Sequence, residues 1–253
     1  MSKIMNANEE IKNRVEWIKS ILSESGSDGI VYGNSGGKDC TLVGALCHMA
    51  TENTTGIIMP CDSTRNYGRD RDDAILVSKH FNIKTLQVDL TPAKKAINEA
   101  IAPLLVGEDV SKERLTNANI NINPRLRMIT VYAYAAAHNC LVAGTGNRSE
   151  ASMGYFTKWG DGAHDFNPIA DLTVTEVYEL LRELGAPNSI IDKAPSAGLF
   201  EGQTDEGEMG ISYKAIDDIL LFDKGSEKDK EKVYKTLRNT EHKRNMPITY
   251  KKG

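Results

Sequence analysis

Short apolar runs alternate with helical segments along this chain, and that alternation most constrains what it can fold into. "GIVYG", "TGIIMP", "IKTLQVDL" and "CLVAGTG" are strand-length runs rich in Val, Ile and Leu. A strand with apolar residues on both sides needs helices over both faces of its sheet, which means a parallel sheet with right-handed crossovers. The intervening segments fit that role. Ile11, Val15, Ile18 and Leu22 recur at helical spacing. A turn over residues 26–29 follows, then helices over 41–51, 72–81, 91–105 and 124–139. The expectation is an α/β fold.

Some segments break the rhythm. Residues 106–123 are polar and without clear period, and read as a partly ordered loop. Residues 155–171, "YFTKWGDGAHDFNPIAD", are too long and Gly-rich for a tight turn. Long structured loops of this kind are often functional. Thr173 and Glu176 then form a capping box at the start of a helix that stops at Gly185 and Pro187. "PSAGLFEGQTDEGEMGIS" is a second long polar loop, and two short helices and a basic tail, "TEHKRNMP", follow. The charge run "SEKDKEKVYKTL" reads as a solvated helix face.

The bulk properties exclude several classes. At 253 residues the chain suits one large domain over 1–253 with a sizeable core. A net charge of -4 argues against a dedicated nucleic-acid binder. No apolar signal core opens the chain and no run would span a bilayer. Cys40, Cys47, Cys61 and Cys140 lack CxxC pairing and read as free thiols in a reducing cytoplasm.

The chemistry concentrates where the first strand ends, at "NSGGKDC". A glycine turn between strand and helix aims backbone N–H groups at an anion. Walker A requires GxxxxGK followed by Ser or Thr. Here Gly33 and Gly37 are separated by three residues and Asp39 follows Lys38, so this is a different phosphate loop. GxGxxG is also absent, which leaves a dinucleotide redox fold unsupported. A carboxylate beside phosphates needs a cation between them, so Asp39 points to Mg²⁺ bridging to phosphate oxygens. Lys38 either adds charge to the phosphates or is exposed.

"SGGKD" after a strand resembles the loop of enzymes that cleave ATP between its α and β phosphates. "LVAGTGNRSEASMGYFTKWGDGAHDFNPIADL", "PSAGLFEGQTDEGEMGISY" and "TEHKRNMP" narrow the resemblance to the ammonia-dependent NAD synthetases. The match runs from about residue 29 to 247. It implies a doubly wound, Rossmann-like parallel sheet, no glutaminase domain, and homodimers. It also implies conversion of deamido-NAD (nicotinic acid adenine dinucleotide), ATP and ammonia into NAD, AMP and pyrophosphate through an acyl-adenylate. It assigns Ser35, Gly36, Gly37, Asp39, Thr145 and Ser196 to ATP, with Lys38 and Cys40 in the same loop. Asp39 and Glu150 are the implied Mg²⁺ ligands and catalytic pair. Arg125, Lys158, Asp165, His242 and Lys243 are the implied deamido-NAD contacts. The two-residue spacing turns Arg127 away from Arg125, into a structural role. Glu150 alone would read as a helix N-terminal acid. Met128, Val131, Tyr132 and Ala135 read as core or subunit interface.

If the first and fourth strands are neighbours where strand order reverses, Asp39 and Glu150 meet across one crevice. Two departures stand out. Cys40 replaces the usual serine, and Val174 replaces a lysine that the family gives to ATP, which predicts weaker ATP binding. Two other readings compete: a tRNA-thiolating relative of the same ATP-cleaving class, and a nucleotide-binding regulator with impaired catalysis. The first lacks its paired cysteines and basic appendage here, and the second rests on Cys40 and Val174 alone.

Overall fold

The computed structural model describes residues 6–62, 67–106, 110–193 and 205–251. Its centre is a four-stranded parallel sheet in the order β3-β2-β1-β4. The strands are β1 (Gly29–Gly33), β2 (Thr54–Ile58), β3 (Lys84–Gln87) and β4 (Cys140–Val142). Ile30 pairs with Thr54 on one side and Leu141 on the other, so β1 is central and β4 is an edge. The order reverses between β1 and β4, as the doubly wound reading requires.

Successive side chains of β1 serve opposite faces. Ile30 and Tyr32 pack with Ile18 of α1 (Ala7–Ser25), Leu46 of α2 (Lys38–Ala50), and Leu180 and Leu181 of a later helix, Val174–Glu183. Val31 packs the other way, with Ile57, Val142 and the long helix that carries Leu126, Val131 and Ala135. Tyr32 is wholly buried, and space for its phenol comes from Gly44, where a Cβ would lie 2.3 Å from the hydroxyl. Among the described residues, no helix is long and apolar enough to cross a membrane.

Boundaries moved where caps outranked periodicity. The helix expected from residue 41 starts at Lys38, with Gly37 as N-cap, so Lys38 and Asp39 belong to its first turn. Residues 69–80 form α3 (Arg69–His80) and residues 91–101 form α4 (Thr91–Ile101). Residues 106–123 are not simply a loop. They contain α5 (Lys112–Ile120), opened by Ser111, whose hydroxyl accepts from the Arg114 N–H at 3.3 Å. None of its residues is buried, so the helix has no apolar stripe to reveal it. α6 (Ile122–Ala137) follows directly. Val131 and Ala135 of that helix are core, while Ile129 is 56% exposed.

Five-residue α7 (Arg148–Ser152) follows β4, and α8 (Val174–Glu183) opens on the predicted Thr173–Glu176 capping box. Residues 155–171 form a sequence of turns tied to the sheet edge. Asp165 donates its N–H to the Val142 carbonyl and accepts the Val142 N–H on its carboxylate at 2.8 Å. Ala143 bridges Phe166 in parallel. Short α9 (Asn188–Ile191) and α10 (Asp205–Met209) lie before α11 (Tyr213–Phe222), α12 (Glu227–Asn239) and α13 (Glu241–Arg244). The charge run lies in α12, where Val233 is buried.

Candidate active site

The C-terminal ends of β1, β2 and β4 open into a cavity of about 500 Å³. It lies at the reversal of strand order, where ligands of such sheets bind. The glycine loop forms its floor. The Asn34 carboxamide accepts the Gly36 N–H at 3.1 Å and donates to the Ser78 hydroxyl at 3.1 Å, which pins the turn to α3. Gly36 has φ +71°, and a Cβ there would sit 2.6 Å from both the Asp70 carbonyl oxygen and the Ala74 nitrogen. Only glycine fits that position. Ser35 Oγ and Cys40 Sγ lie 3.2 Å apart beside the loop, so the thiol sits where a serine hydroxyl would.

Asp39 in α2 and Glu150 in α7 meet here, from the helices that follow the neighbouring strands β1 and β4. Asp39 Oδ1 accepts from Asn147 Nδ2 at 3.1 Å, and its Oδ2 accepts from Lys38 Nζ at 2.8 Å. Asn147 also caps α7, and Glu150 completes the capping box by accepting the Asn147 N–H on Oε2 at 3.2 Å. The other Glu150 oxygen lies 4.0 Å from Lys38 Nζ. Glu150 is thus a helix-capping acid and a pocket acid at once, one oxygen for each. Burial, then the Asp39 charge, push the Glu150 carboxyl up to about 8. Burial favours neutral Lys38, but the charges of Asp39 and Glu150 outweigh it and raise its pKa. Lys38 is 7% exposed, which removes the reading of it as an exposed residue.

Of the other implied ATP residues, Thr145 lines the cavity and Ser196 lies outside the described residues. Among the implied deamido-NAD contacts, Lys243 lines the cavity and donates to the Gly154 and Phe156 carbonyls at 2.8 Å. Arg125, Lys158 and His242 form a chain outside the lining. Arg125 donates to the Lys158 carbonyl at 3.4 Å, and Lys158 Nζ to the His242 carbonyl at 2.6 Å. Asp165 anchors β4 and accepts from the Tyr132 hydroxyl at 3.1 Å.

The two arginines diverge, but Arg127, expected in a structural role, is the one in the cavity wall, and Arg125 lies outside the lining. Arg127 Nε donates to the Met59 carbonyl at 3.2 Å, and burial lowers its pKa. Asn147, Asp161 and Lys193 were also missed. Asp161 lines the cavity, and burial raises its carboxyl pKa. Lys193 pairs with Asp70 at 2.9 Å and Asp73 at 2.6 Å. An N-x-x-E box after a strand was a readable signal for Asn147. None marked the other two.

A family model described as NAD synthase matches residues 10–247. The chain belongs to the NAD synthase family. An NH(3)-dependent NAD(+) synthetase of Carboxydothermus hydrogenoformans is 45% identical, with 96% of this chain and 97% of that one aligned. One from Archaeoglobus fulgidus is 41% identical, with 96% of each covered. Among solved structures, an NMN synthetase from Francisella tularensis matches with TM-score 0.89 and 35% identity, over 98% of this chain and 99% of that one.

Val174, where a lysine was expected, is 4% exposed and packs with Tyr213, Ile216 and Met209. The Lys38 ammonium lies 5.4 Å from the centroid of that same Tyr213 ring. A lysine at 174 would put a second ammonium into the buried cluster that Lys38 already borders. Val174→Lys is therefore expected to lower the melting temperature by several degrees, about 2 kcal/mol, in calorimetry. A melting temperature equal to or above wild type would mean that the cluster accommodates both charges, and the ATP KM of the same variant would then carry the comparison.

Proposed function

We propose that the chain is a ligase that amidates deamido-NAD with ammonia at the expense of ATP, giving NAD, AMP and pyrophosphate. Family membership supports the reaction, and the meeting of Asp39 and Glu150 beside a glycine loop supports its location. The loop's N–H groups hold the pyrophosphate end of ATP, and Thr145 borders it. A nicotinate carboxylate oxygen attacks the α-phosphorus and pyrophosphate leaves. Ammonia then adds to the acyl carbon of the adenylate, and AMP departs. The proton that the adding ammonia gives up passes to water.

The donor set fits Mg²⁺. Among the described residues no three His, Cys, Asp or Glu side chains could hold an ion by themselves. Two carboxylates with phosphate oxygens and water are what Mg²⁺ takes at nucleotide sites. When bound, it supplies neutralising charge for the leaving pyrophosphate. Asp39 and Glu150 would hold it. Arg125, Lys158, Asp165, His242 and Lys243 would take the acceptor, with Lys243 in the cavity lining and the other four beyond it. The exposed Ile129 face of α6 suits pairing into a homodimer. Free ammonia serves as nitrogen donor, and no nucleic acid or membrane takes part. A cytoplasmic location suits these substrates and four unpaired cysteines.

The likeness to an NMN synthetase favours a second acceptor, nicotinic acid mononucleotide. One assay separates the readings: purified protein, Mg²⁺, ATP and ammonium, with either acceptor, following amide and AMP together. Equal NAD and AMP from deamido-NAD is the expected result. Amide from the mononucleotide alone would reassign the acceptor, and ATP binding without amide from either would leave a regulator.

A further inference from the structure

Lys38 occupies an unfavourable place for a cation. It is in the first turn of α2, where the helix dipole repels positive charge, and it is buried. Both terms oppose a lysine, so something must offset them. The offset is the carboxylate pair. Lys38 Nζ lies 2.8 Å from Asp39 Oδ2 and 4.0 Å from Glu150 Oε1, with the Tyr213 ring face at 5.4 Å.

The remaining oxygens explain why the pair holds its shape. Asp39 Oδ1 is bound by Asn147, and Glu150 Oε2 is used in the cap of α7. Each carboxylate therefore has one oxygen fixed by the fold and one directed at the same ammonium. That is the arrangement a bridging cation imposes. Without a cation Glu150 could not ionise beside Asp39 without repulsion, and nothing would hold the two groups toward one point.

Resting on the reading of Asp39 and Glu150 as the ion-binding pair, we infer that Lys38 is a positioning residue. Its ammonium keeps the two carboxyl groups converged while no nucleotide is bound, and it withdraws when a divalent cation arrives with ATP. The triphosphate then offers the displaced ammonium a new anionic partner. Two consequences follow. The pair is preorganised before substrate binds, and a divalent cation without nucleotide must compete with a tethered charge. The site thus favours the cation–nucleotide complex over the free cation.

The test uses the full chain and Mn²⁺ alone, with binding followed by electron paramagnetic resonance and melting temperature read in EDTA. Lys38→Met is expected to bind Mn²⁺ about tenfold more tightly than wild type, to melt lower in EDTA, and to recover on adding Mn²⁺. Lys38→Arg, which keeps the charge, is expected to bind Mn²⁺ as wild type does. Mn²⁺ affinity in Lys38→Met equal to or weaker than wild type overturns the inference, because a merely structural lysine would not raise affinity when removed. Should Lys38→Met fail to fold, Lys38→Gln carries the same comparison. Asp39→Asn separates the two levels. If it abolishes Mn²⁺ binding while Lys38→Met leaves binding unchanged, only the role of Lys38 fails. If it leaves Mn²⁺ binding intact, the reading of the pair fails as well.

Discussion

Asp39→Asn is expected to lower kcat/KM for NAD formation by about a thousandfold, roughly 4 kcal/mol of transition-state stabilisation. The asparagine keeps the size of the side chain and can still accept from Asn147. It loses the charge that Lys38 now balances and that a divalent cation would need. The leaving pyrophosphate accumulates charge as the nicotinate oxygen attacks, so removing the anchor of its counter-ion weakens the transition state more than the ground state. Steady-state rates at saturating Mg²⁺, with circular dichroism to confirm folding, measure this. A loss below tenfold would mean that Asp39 carries no essential charge.

Glu150→Gln is expected to cost activity on a similar scale while making the nucleotide-free protein more stable above neutral pH. The sign follows from proton counts. In the folded chain the Glu150 carboxyl holds its proton to about 8, against an ordinary value of 4.5. Between those values the native state binds more protons than the unfolded state, so stability falls as pH rises through that window. The penalty is absent below the ordinary value and complete above the folded one. Glutamine escapes it, and its carbonyl oxygen can still accept the Asn147 N–H that caps α7. The expected gain is negligible near pH 4.5 and reaches about 2–4 kcal/mol near pH 8, several degrees in melting temperature. Calorimetry in EDTA at both values decides it. A variant less stable than wild type throughout would mean that the carboxylate is held favourably ionised.

The sheet and its glycine loop were legible because both rest on local chemistry. Apolar runs of strand length between helices leave few alternatives, and Gly36 announces a left-handed turn. The meeting of Asp39 and Glu150 was legible as a condition on strand order, which the pairing of β1 with β4 satisfies. Burial was much less legible. A lysine following two glycines reads equally as a phosphate partner or an exposed residue, and only the fold shows that it is enclosed between two acids and Tyr213. The arginine pair is similar. Spacing says that Arg125 and Arg127 diverge, but which one enters the cavity depends on how α6 is rotated against the sheet. α5 buries none of its residues, so only its Ser111 cap marks it in the sequence.

The turns over residues 155–171 carry a second duty. β4 is a sheet edge, and its outward backbone groups would otherwise offer a template to another chain. Asp165 takes up both polar groups of Val142, and the Phe166 carbonyl accepts the Gly144 N–H at 2.8 Å. The segment that borders the cavity is thus also the guard against intermolecular strand addition. Substitutions that loosen it to admit a different acceptor would uncover that edge, and such variants would be lost to aggregation before their turnover could be compared.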